Sequence, residues 1–469
     1  MAAIAVIGGG GYVGLAYAVA FAELGHAVTA LDVDAEKVAA LSEGRCPIFE
    51  PGLEQLLQRG LENDRLRFTT DYHVAIPDAD FAFICVGTPA GPSGRADVRY
   101  ISTAAQAVGR HARGHTIVVN KSTVPIGSVQ FVTDSLTEFA GTDTTFSVVS
   151  NPEFLAEGTA IHDIFHPDRI ILGSDDVAAA DRVAELYEPL GAPVLITDPR
   201  SAEMVKYASN AFLATKISFI NEVAMICESL GADVSAVAQG MGMDKRIGPR
   251  FLRPGAGFGG SCFPKDVRAL GSMARDMNLD PTLLNAVLEI NAVAHARIVD
   301  KITRHLGDLK GKSIAILGLA FKPDTDDIRE APALYVIEQL LAAGANVRVT
   351  DPVALDRVAA IISGITCVED PYAVVFGADA VILMTEWDIY RLLDLDRLAN
   401  AMRGDLLVDG RNALDAVAAR EAGFHYVGVG RPGGSVQIGP WLEMYRQVSH
   451  ADETPALPVE LILADSAAD

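Results

Sequence analysis

The 469-residue sequence predicts an α/β protein of two doubly wound domains joined by a central helical region. Three observations predict it. From residue 3 to about 200, short apolar runs alternate with helical patterns, and the runs end in small or polar residues. Between residues 201 and 305 strand signals vanish and helical periodicity dominates, interrupted from Gly242 to Gly260. At Lys312 the strand signals return in the same alternating order. The expected layout is therefore 1–200, 201–305 and 306–450, with a tail, 451–469, whose five acids and lack of Lys or Arg read as a mobile, solvated end.

The first apolar run, Ala3 to Ile7, opens into Gly8-Gly9-Gly10-Gly11-Tyr12-Val13-Gly14, a helical pattern follows from Leu15 to Leu24, and a second run, Ala27 to Leu31, ends at Asp32. Gly9, Gly11 and Gly14 fit G-x-G-x-x-G, and Asp32 lies 18 residues beyond Gly14. Each part has a task at a dinucleotide: glycines let the backbone approach a pyrophosphate, the helix N-terminus binds its charge, and the acid accepts from the ribose hydroxyls. The segment reads as a Rossmann-like domain. Asp32 favours NAD over NADP, since a carboxylate about 4 Å from a 2′-phosphate costs about 1 to 4 kcal/mol per unit charge.

Later runs in this domain end at candidate site residues: Phe81 to Val86 at Gly87-Thr88-Pro89, Thr116 to Val119 at Lys121-Ser122-Thr123, and Phe146 to Val149 at Asn151-Pro152-Glu153. In an open parallel sheet the ligand crevice lies at such carboxyl ends. In the helical region Lys206 and Asn210 share one face at i, i+4, a pattern that suits a solvated surface as well as a site. The second doubly wound domain starts with Ser313 to Leu317, a helix over Ala331 to Ala343, and Asn346 to Thr350 ending at Asp351-Pro352. Further strands are expected near Ala380 to Met384 and Leu406 to Val408. Its first turn has a single glycine, Gly318, so a different ligand is expected, for which Lys322 and Arg411 are either phosphate binders or ordinary surface charges.

The run Gly257-Phe258-Gly259-Gly260-Ser261-Cys262-Phe263-Pro264-Lys265-Asp266 puts a lone thiol where a helix begins. Pro264 suits a first helical turn, whose N–H groups have no partners anyway. A helix N-terminus and Lys265 would stabilise a thiolate, and such settings pull a thiol pKa down to between about 3.5 and 7.5. Asp266 follows one turn along and can point back to the same spot. Taken alone, a glycine-flanked cysteine serves equally well as a small packed residue.

Composition narrows the functions further. A net charge of −23 argues against polyanion binding by the surface as a whole, whether nucleic acid or anionic membrane, and leaves room for a local basic pocket for a small anion. Five scattered cysteines without C-x-x-C or Cys/His spacing argue against a disulfide framework and a zinc site. No basic leader precedes the first apolar run and no uncharged stretch is long enough to span a bilayer, so a cytoplasmic protein without membrane insertion is expected.

From Ile4 to Arg431 the chain resembles the nucleotide-sugar dehydrogenases of the UDP-glucose/GDP-mannose dehydrogenase family. The resemblance rests on Gly11-Tyr12-Val13-Gly14-Leu15, Glu50-Pro51-Gly52-Leu53-Glu54, Val86-Gly87-Thr88-Pro89, Lys121-Ser122-Thr123-Val124-Pro125, Asn151 to Gly158, the Cys262 segment and Phe321-Lys322-Pro323-Asp324-Thr325. Asn210 to Glu222 and Arg246-Ile247-Gly248 are similar to the UDP-glucose branch, and Ser261 stands where the N-acetyl-sugar branch usually has His. GDP-mannose or another UDP-sugar is the alternative substrate. One departure is the run of four glycines, one longer than the family's usual turn, which is expected to alter the turn and slacken cofactor binding.

The resemblance implies a four-electron oxidation of a sugar C6 alcohol to a carboxylate, with two NAD and one water. It implies that Lys206 with Asp266 takes the hydroxyl proton, with the lysine pKa lowered by burial, and that Lys206 and Asn210 stabilise oxyanion character. It implies that Cys262 forms a thiohemiacetal and then a thioester, hydrolysed with Glu153 as base and Thr123 positioning the water or NAD. NAD contacts are implied for Gly9, Gly11, Tyr12, Val13, Gly14, Asp32, Lys37, Gly87, Thr88, Ser122, Thr123, Glu157, Lys265 and Arg329. UDP-glucose contacts are implied for Glu153, Phe154, Leu155, Lys206, Asn210, Phe251, Leu252, Phe258, Gly259, Phe321, Lys322 and Arg411, and for Arg246 reaching across the interface of a homodimer.

Overall fold

The computed structural model describes residues 1–89, 91 and 95–431, so the expected tail, 451–469, lies outside the described residues. The first sheet comprises β1 (Ala3–Ile7), β2 (Ala27–Leu31), β3 (Leu66–Thr69), β4 (Phe81–Ile84), β5 (His115–Asn120), β6 (Thr145–Ser150), β7 (Ile170–Gly173) and β8 (Val194–Thr197). Its order is β3-β2-β1-β4-β5-β6-β7-β8. All neighbours are parallel except β6 and β7, which meet antiparallel at Ser150 and Gly173. The second sheet, β9 (Ser313–Leu317), β10 (Asn346–Thr350), β11 (Ile365–Cys367), β12 (Ala380–Leu383), β13 (Leu406–Asp409) and β14 (His425–Gly428), is ordered β11-β10-β9-β12-β13-β14. Both sheets thus contain the 3-2-1-4-5-6 order of a doubly wound fold, with the crevice beside their first strand.

The strands expected from apolar runs are present, several with the same ends. Those the pattern did not signal are β3, β7, β8, β11 and β14. Four of them are edge strands: β3 and β14 have the half-polar sequences Leu-Arg-Phe-Thr and His-Tyr-Val-Gly, and β8 and β11 are short and largely uncovered, so each pairs because a neighbour offers its ladder rather than because both faces are buried.

The glycine run has a local explanation. Gly8, at φ +82°, and Gly9 both donate to the Leu31 carbonyl at 2.8 Å, so the added residue is taken up as a bulge at the end of β1. Beyond it the turn is tight: a Cβ on Gly14 would lie 2.2 Å from the Gly8 carbonyl oxygen.

The central helix Pro199–Leu230 begins at Asp198, whose carboxylate caps Ser201 N at 3.0 Å, has Pro in its first turn and ends at Gly231 in the left-handed region. It touches successive cores. Ala202 lies under Gly173 of β7, Ala211 and Ala214 pack with Phe258, Val267 and Val287, and Ile220, Ala224 and Cys227 join the core of the second sheet. One rigid element therefore carries side chains to the gap between the two sheets. Among the described residues no helix is long and apolar enough to cross a membrane.

Candidate active site

A cleft of about 1150 Å³ opens between the carboxyl ends of the two sheets, with the central helix as its floor. Cys262 stands on its wall as the residue immediately before helix Phe263–Asp276, with Pro264 in the first turn as expected. The glycines before it are required by crowding on both sides. A Cβ on Gly257 would meet Asn291 and His295 at 2.7 to 2.8 Å, one on Gly259 would lie 2.2 Å from the Glu330 carbonyl oxygen, and one on Gly260 would meet the Phe321 ring at 2.8 Å. Asn291 grips the Phe258 backbone at both N (2.8 Å) and O (3.0 Å). The loop is thereby wedged between helix Thr282–Leu306 and the second sheet.

Around the thiol lie two pairs of opposite charges, one buried and the other half-buried at its lysine. Lys206 Nζ donates to both Glu153 Oε1 and the Glu153 carbonyl at 2.7 Å, and Glu153 Oε2 accepts from Leu155 N at 2.7 Å. Asp266 accepts from Asn210 Nδ2 and from Lys265 Nζ, each at 2.6 Å. Lys206 and Asn210 are 3% and 7% exposed, so the i, i+4 pair faces the site and not solvent.

Three expectations are corrected here. Lys265 serves Asp266 rather than the thiol. Burial pushes the Cys262 thiol above its usual pKa, helped by the Glu153 and Asp266 charges and opposed by Lys206. The Lys206 pKa is raised rather than lowered: burial alone would depress it, but Glu153, Cys262 and Asp266 together hold its proton. Burial likewise acts to raise Glu153, yet Lys206 and the Leu155 amide bring it below the usual carboxylate range. At rest the site holds a neutral thiol, a lysine ammonium and an ionised glutamate.

Of the residues expected to contact a dinucleotide, Gly9, Gly11, Tyr12, Val13, Gly14, Asp32, Gly87, Thr88, Ser122 and Thr123 follow the carboxyl ends of β1, β2, β4 and β5, whereas Lys37, Glu157, Lys265 and Arg329 lie elsewhere. Asp32 accepts from Gly10 N at 2.9 Å, and a Cβ on Gly10 would press on that carboxylate at 2.8 Å. Gly87 has no heavy atom within 4 Å of a built Cβ, and Ser122 Oγ donates to the Val86 carbonyl at 2.7 Å. Thr88 is buried and Thr123 half-buried in the loops that follow β4 and β5. The glycine cradle, the helix N-terminus after Gly11 and the Asp32 acid fit the requirements of NAD. Lys37 stands apart on the surface near Asp34, at 3.8 Å.

Glu157 and Arg329 pair with each other at 3.3 Å and join Asp327, Thr325 and Ser261 in one network across the cleft. Burial and the Asp327 charge push Glu157 up to about 7. Phe154, Leu155, Phe251, Leu252, Phe258, Gly259, Phe321, Lys322 and Arg411 all line the cleft. Three Arg411 nitrogens already donate to the carbonyls of Met384, Gly257 and Phe321, which leaves two of its five N–H donors free of these bonds. Burial lowers the Lys322 pKa. Arg246 is exposed, pairs with Asp244 and does not line the cleft of its own chain.

Glu50, Asn151, Arg169 and Arg431 are site residues to which the sequence gave no role. Glu50 joins the Tyr12 hydroxyl and the amides of Gly158 (2.6 Å) and Ala160 (2.7 Å), tying the fingerprint helix to the segment after Glu157. Arg169 stacks over Phe154 at 4.0 Å, and Arg431 lines the far end of the cleft. The strand-end position of Asn151 and the Glu50-Pro51-Gly52-Leu53-Glu54 block marked two of these beforehand, without a role for either; Arg169 carried no such mark.

Residues 2–191, 200–293 and 315–416 match, in turn, the NAD binding, central and UDP binding domains of the UDP-glucose/GDP-mannose dehydrogenase family. The chain belongs to this family. Among curated members, a UDP-glucose 6-dehydrogenase of Bacillus subtilis is 46% identical over 434 residues, 92% of this chain and 99% of its own. One of Rhizobium meliloti is 44% identical, covering 90% of this chain and 98% of its own. The solved structure of a UDP-glucose dehydrogenase from Pyrobaculum islandicum matches with a TM-score of 0.86 at 44% identity, over 92% of this chain and 98% of that one. In this family member the cleft is thus bounded by an NAD binding region on one side and a UDP binding region on the other.

Proposed function

We propose that the chain oxidises the C6 alcohol of UDP-glucose to the carboxylate in two steps, with NAD as oxidant. The observation that carries this reading is Cys262 at a helix start, within the combined charge field of Lys206, Glu153 and Asp266, in a cleft between a dinucleotide-type turn and a nucleotide-sugar region. NAD, when bound, supplies the acceptor for each hydride. Asp266, held by Asn210 and Lys265, takes the alcohol proton through water, and the Lys206 ammonium stabilises the developing oxyanion together with Asn210. An aldehyde gives up no second hydride readily. The Cys262 sulfur therefore adds to its carbonyl carbon as the C=O π bond opens and the thiol proton passes to the former carbonyl oxygen, giving a thiohemiacetal; loss of the carbon-bound hydride to the oxidant and of the hydroxyl proton through water then leaves a thioester. Water, positioned by Thr123, attacks the thioester carbon, Glu153 takes its proton, and the carbon–sulfur bond breaks to release Cys262 and the acid.

Gly9, Gly11, Tyr12, Val13, Gly14, Asp32, Gly87, Thr88 and Ser122 are assigned to NAD, while Phe154, Leu155, Phe258, Gly259, Lys322 and Arg411 are assigned to the nucleotide-sugar. Phe212, Phe219 and Ile226, exposed at seven-residue spacing on the central helix, support a homodimer that brings Arg246 to a partner's cleft. Light scattering on Phe212→Glu/Phe219→Glu should give a monomer; an unchanged mass would retire that interface.

The test of function is NADH released per molecule of limiting UDP-glucose, with GDP-mannose run in parallel. Two NADH per UDP-glucose supports the double oxidation. One NADH points to a simple alcohol dehydrogenase without a role for Cys262, and turnover with GDP-mannose alone keeps the chemistry and changes the substrate.

A further inference from the structure

Lys121 is a second buried lysine in this site, and the chemistry above leaves it unused. It follows the last residue of β5, is 1% exposed and reaches the inner end of the cleft. Its ammonium donates to Asn151 Oδ1 at 2.9 Å and to the Tyr187 hydroxyl at 3.4 Å, and sits 3.8 Å above the Tyr17 ring. Tyr187 donates to the same Asn151 oxygen at 2.6 Å, and Asn151 Nδ2 donates to the Ile171 carbonyl at 2.9 Å, so Asn151 is held on both sides. Two residues further along the chain is Glu153.

A buried ammonium normally has a carboxylate partner; among the described residues none lies within 4 Å of this one. The titratable groups facing it are Cys85 from the end of β4, Tyr17 from helix Tyr12–Glu23, Tyr187 from helix Val177–Tyr187, Lys206 from the central helix and Glu153. Burial pushes Cys85 up to about 12 and holds both tyrosines well above their usual values, so all three are neutral at working pH. Glu153 is then the one negative charge among these groups, with Lys206 and, below about pH 7, Lys121 as the cations acting on it.

We propose that Lys121 is a positioning residue for Glu153: its ammonium, fixed through Asn151, keeps the Glu153 carboxylate ionised and ready to take a proton from the hydrolytic water. This rests on the role proposed for Glu153. Burial lowers Lys121 to about 7, so it carries its charge throughout the acidic range in which Glu153 titrates. The direct salt bridge from Lys206 is occupied in holding the carboxylate, whereas Lys121 supplies field without contact.

The test uses two variants. Lys121→Gln keeps a donor toward Asn151 without the charge, and Lys121→Met removes both. Infrared titration of the Glu153 carboxyl band, assigned by its loss in Glu153→Gln, reads the carboxylate without turnover. The band should move to higher pH in both variants, by about one unit, a tenfold change in proton affinity, and the acidic limb of kcat should move with it. Because Lys121 is a buried charge without a carboxylate partner, neither variant should melt earlier than wild type, which separates this role from a structural one. A Glu153 band that stays in place in both variants overturns the proposal, as does a band that moves in Lys121→Met but not in Lys121→Gln, which would assign the effect to the Asn151 hydrogen bond. A shifted band in a protein that releases no NADH from UDP-glucose would support the electrostatic coupling and retire the enzymatic reading instead.

Discussion

Replacing Lys206 by Met exposes the electrostatic logic of the site most directly. Lys206 Nζ and Glu153 Oε1 are 2.7 Å apart, with side chains 3% and 8% exposed. At an effective dielectric of about 20 their attraction is on the order of 6 kcal/mol, part of which offsets the cost of burying both charges. Lys206→Met leaves the carboxylate buried without its partner, for which a loss of about 3 to 5 kcal/mol is expected. The pH dependence should also reverse sign. In the wild type the Glu153 pKa lies below its 4.5 reference, so the native state binds this proton less tightly than the unfolded chain. That contribution to stability is present above pH 4.5 and is lost as pH falls through the native pKa. Without Lys206, burial dominates and the native carboxyl pKa rises above the reference. The variant should then gain stability relative to wild type as pH falls. Urea unfolding followed by circular dichroism at several pH values between about 4 and 8 measures both effects. The double variant Lys206→Met/Glu153→Gln should recover most of the loss. A loss below about 1 kcal/mol, or the same pH slope in wild type and Lys206→Met, would refute the buried ion pair as the organiser of this site.

Three further expectations follow from other parts of the molecule. Cys262→Ala should abolish production of the acid while leaving NADH binding unchanged in a fluorescence titration; normal turnover would remove the covalent mechanism. Gly259→Ala puts a methyl 2.2 Å from the Glu330 carbonyl oxygen, so unfolding should be easier by about 1 to 3 kcal/mol, measured by denaturant midpoint, with loss of activity from a displaced Cys262 loop. Glu203 is buried and accepts from Gly127 N at 2.5 Å and Val129 N at 3.2 Å, and burial pushes its pKa up to about 7. Here the native state holds the proton more tightly, so wild-type stability should fall by up to about 3 kcal/mol between pH 4.5 and pH 7. Glu203→Gln should lack that decline, and equal slopes in the two proteins would show that Glu203 does not titrate in this range.

Much of the architecture was legible in the residues alone because its signals are local. The alternation of apolar runs with helical periodicity, and the pairing of Gly9, Gly11 and Gly14 with Asp32, depend on neighbours within a few tens of residues. The edge strands were not legible, since Leu66–Thr69 or His425–Gly428 become strands only by joining a ladder that other segments build. The site was legible as a set of residue types and strand ends, but its pairings were not. Lys265 is adjacent to Cys262's helix start yet turns to Asp266, and Lys206 finds Glu153 some 53 positions earlier in the chain.

The chain's own pattern therefore determined most strands of the two doubly wound sheets, the glycine turn and the cysteine at a helix start, because each is encoded by short-range geometry and periodicity. The charge states of that cysteine and of Lys206 depended on tertiary structure. Helix termini and nearby lysines in sequence argue for a lowered thiol pKa, but burial and the carboxylates of Glu153 and Asp266, brought in from elsewhere in the chain, raise it instead. Desolvation and long-range Coulomb terms depend on which segments meet in space, and that is settled when the central helix packs across both sheets.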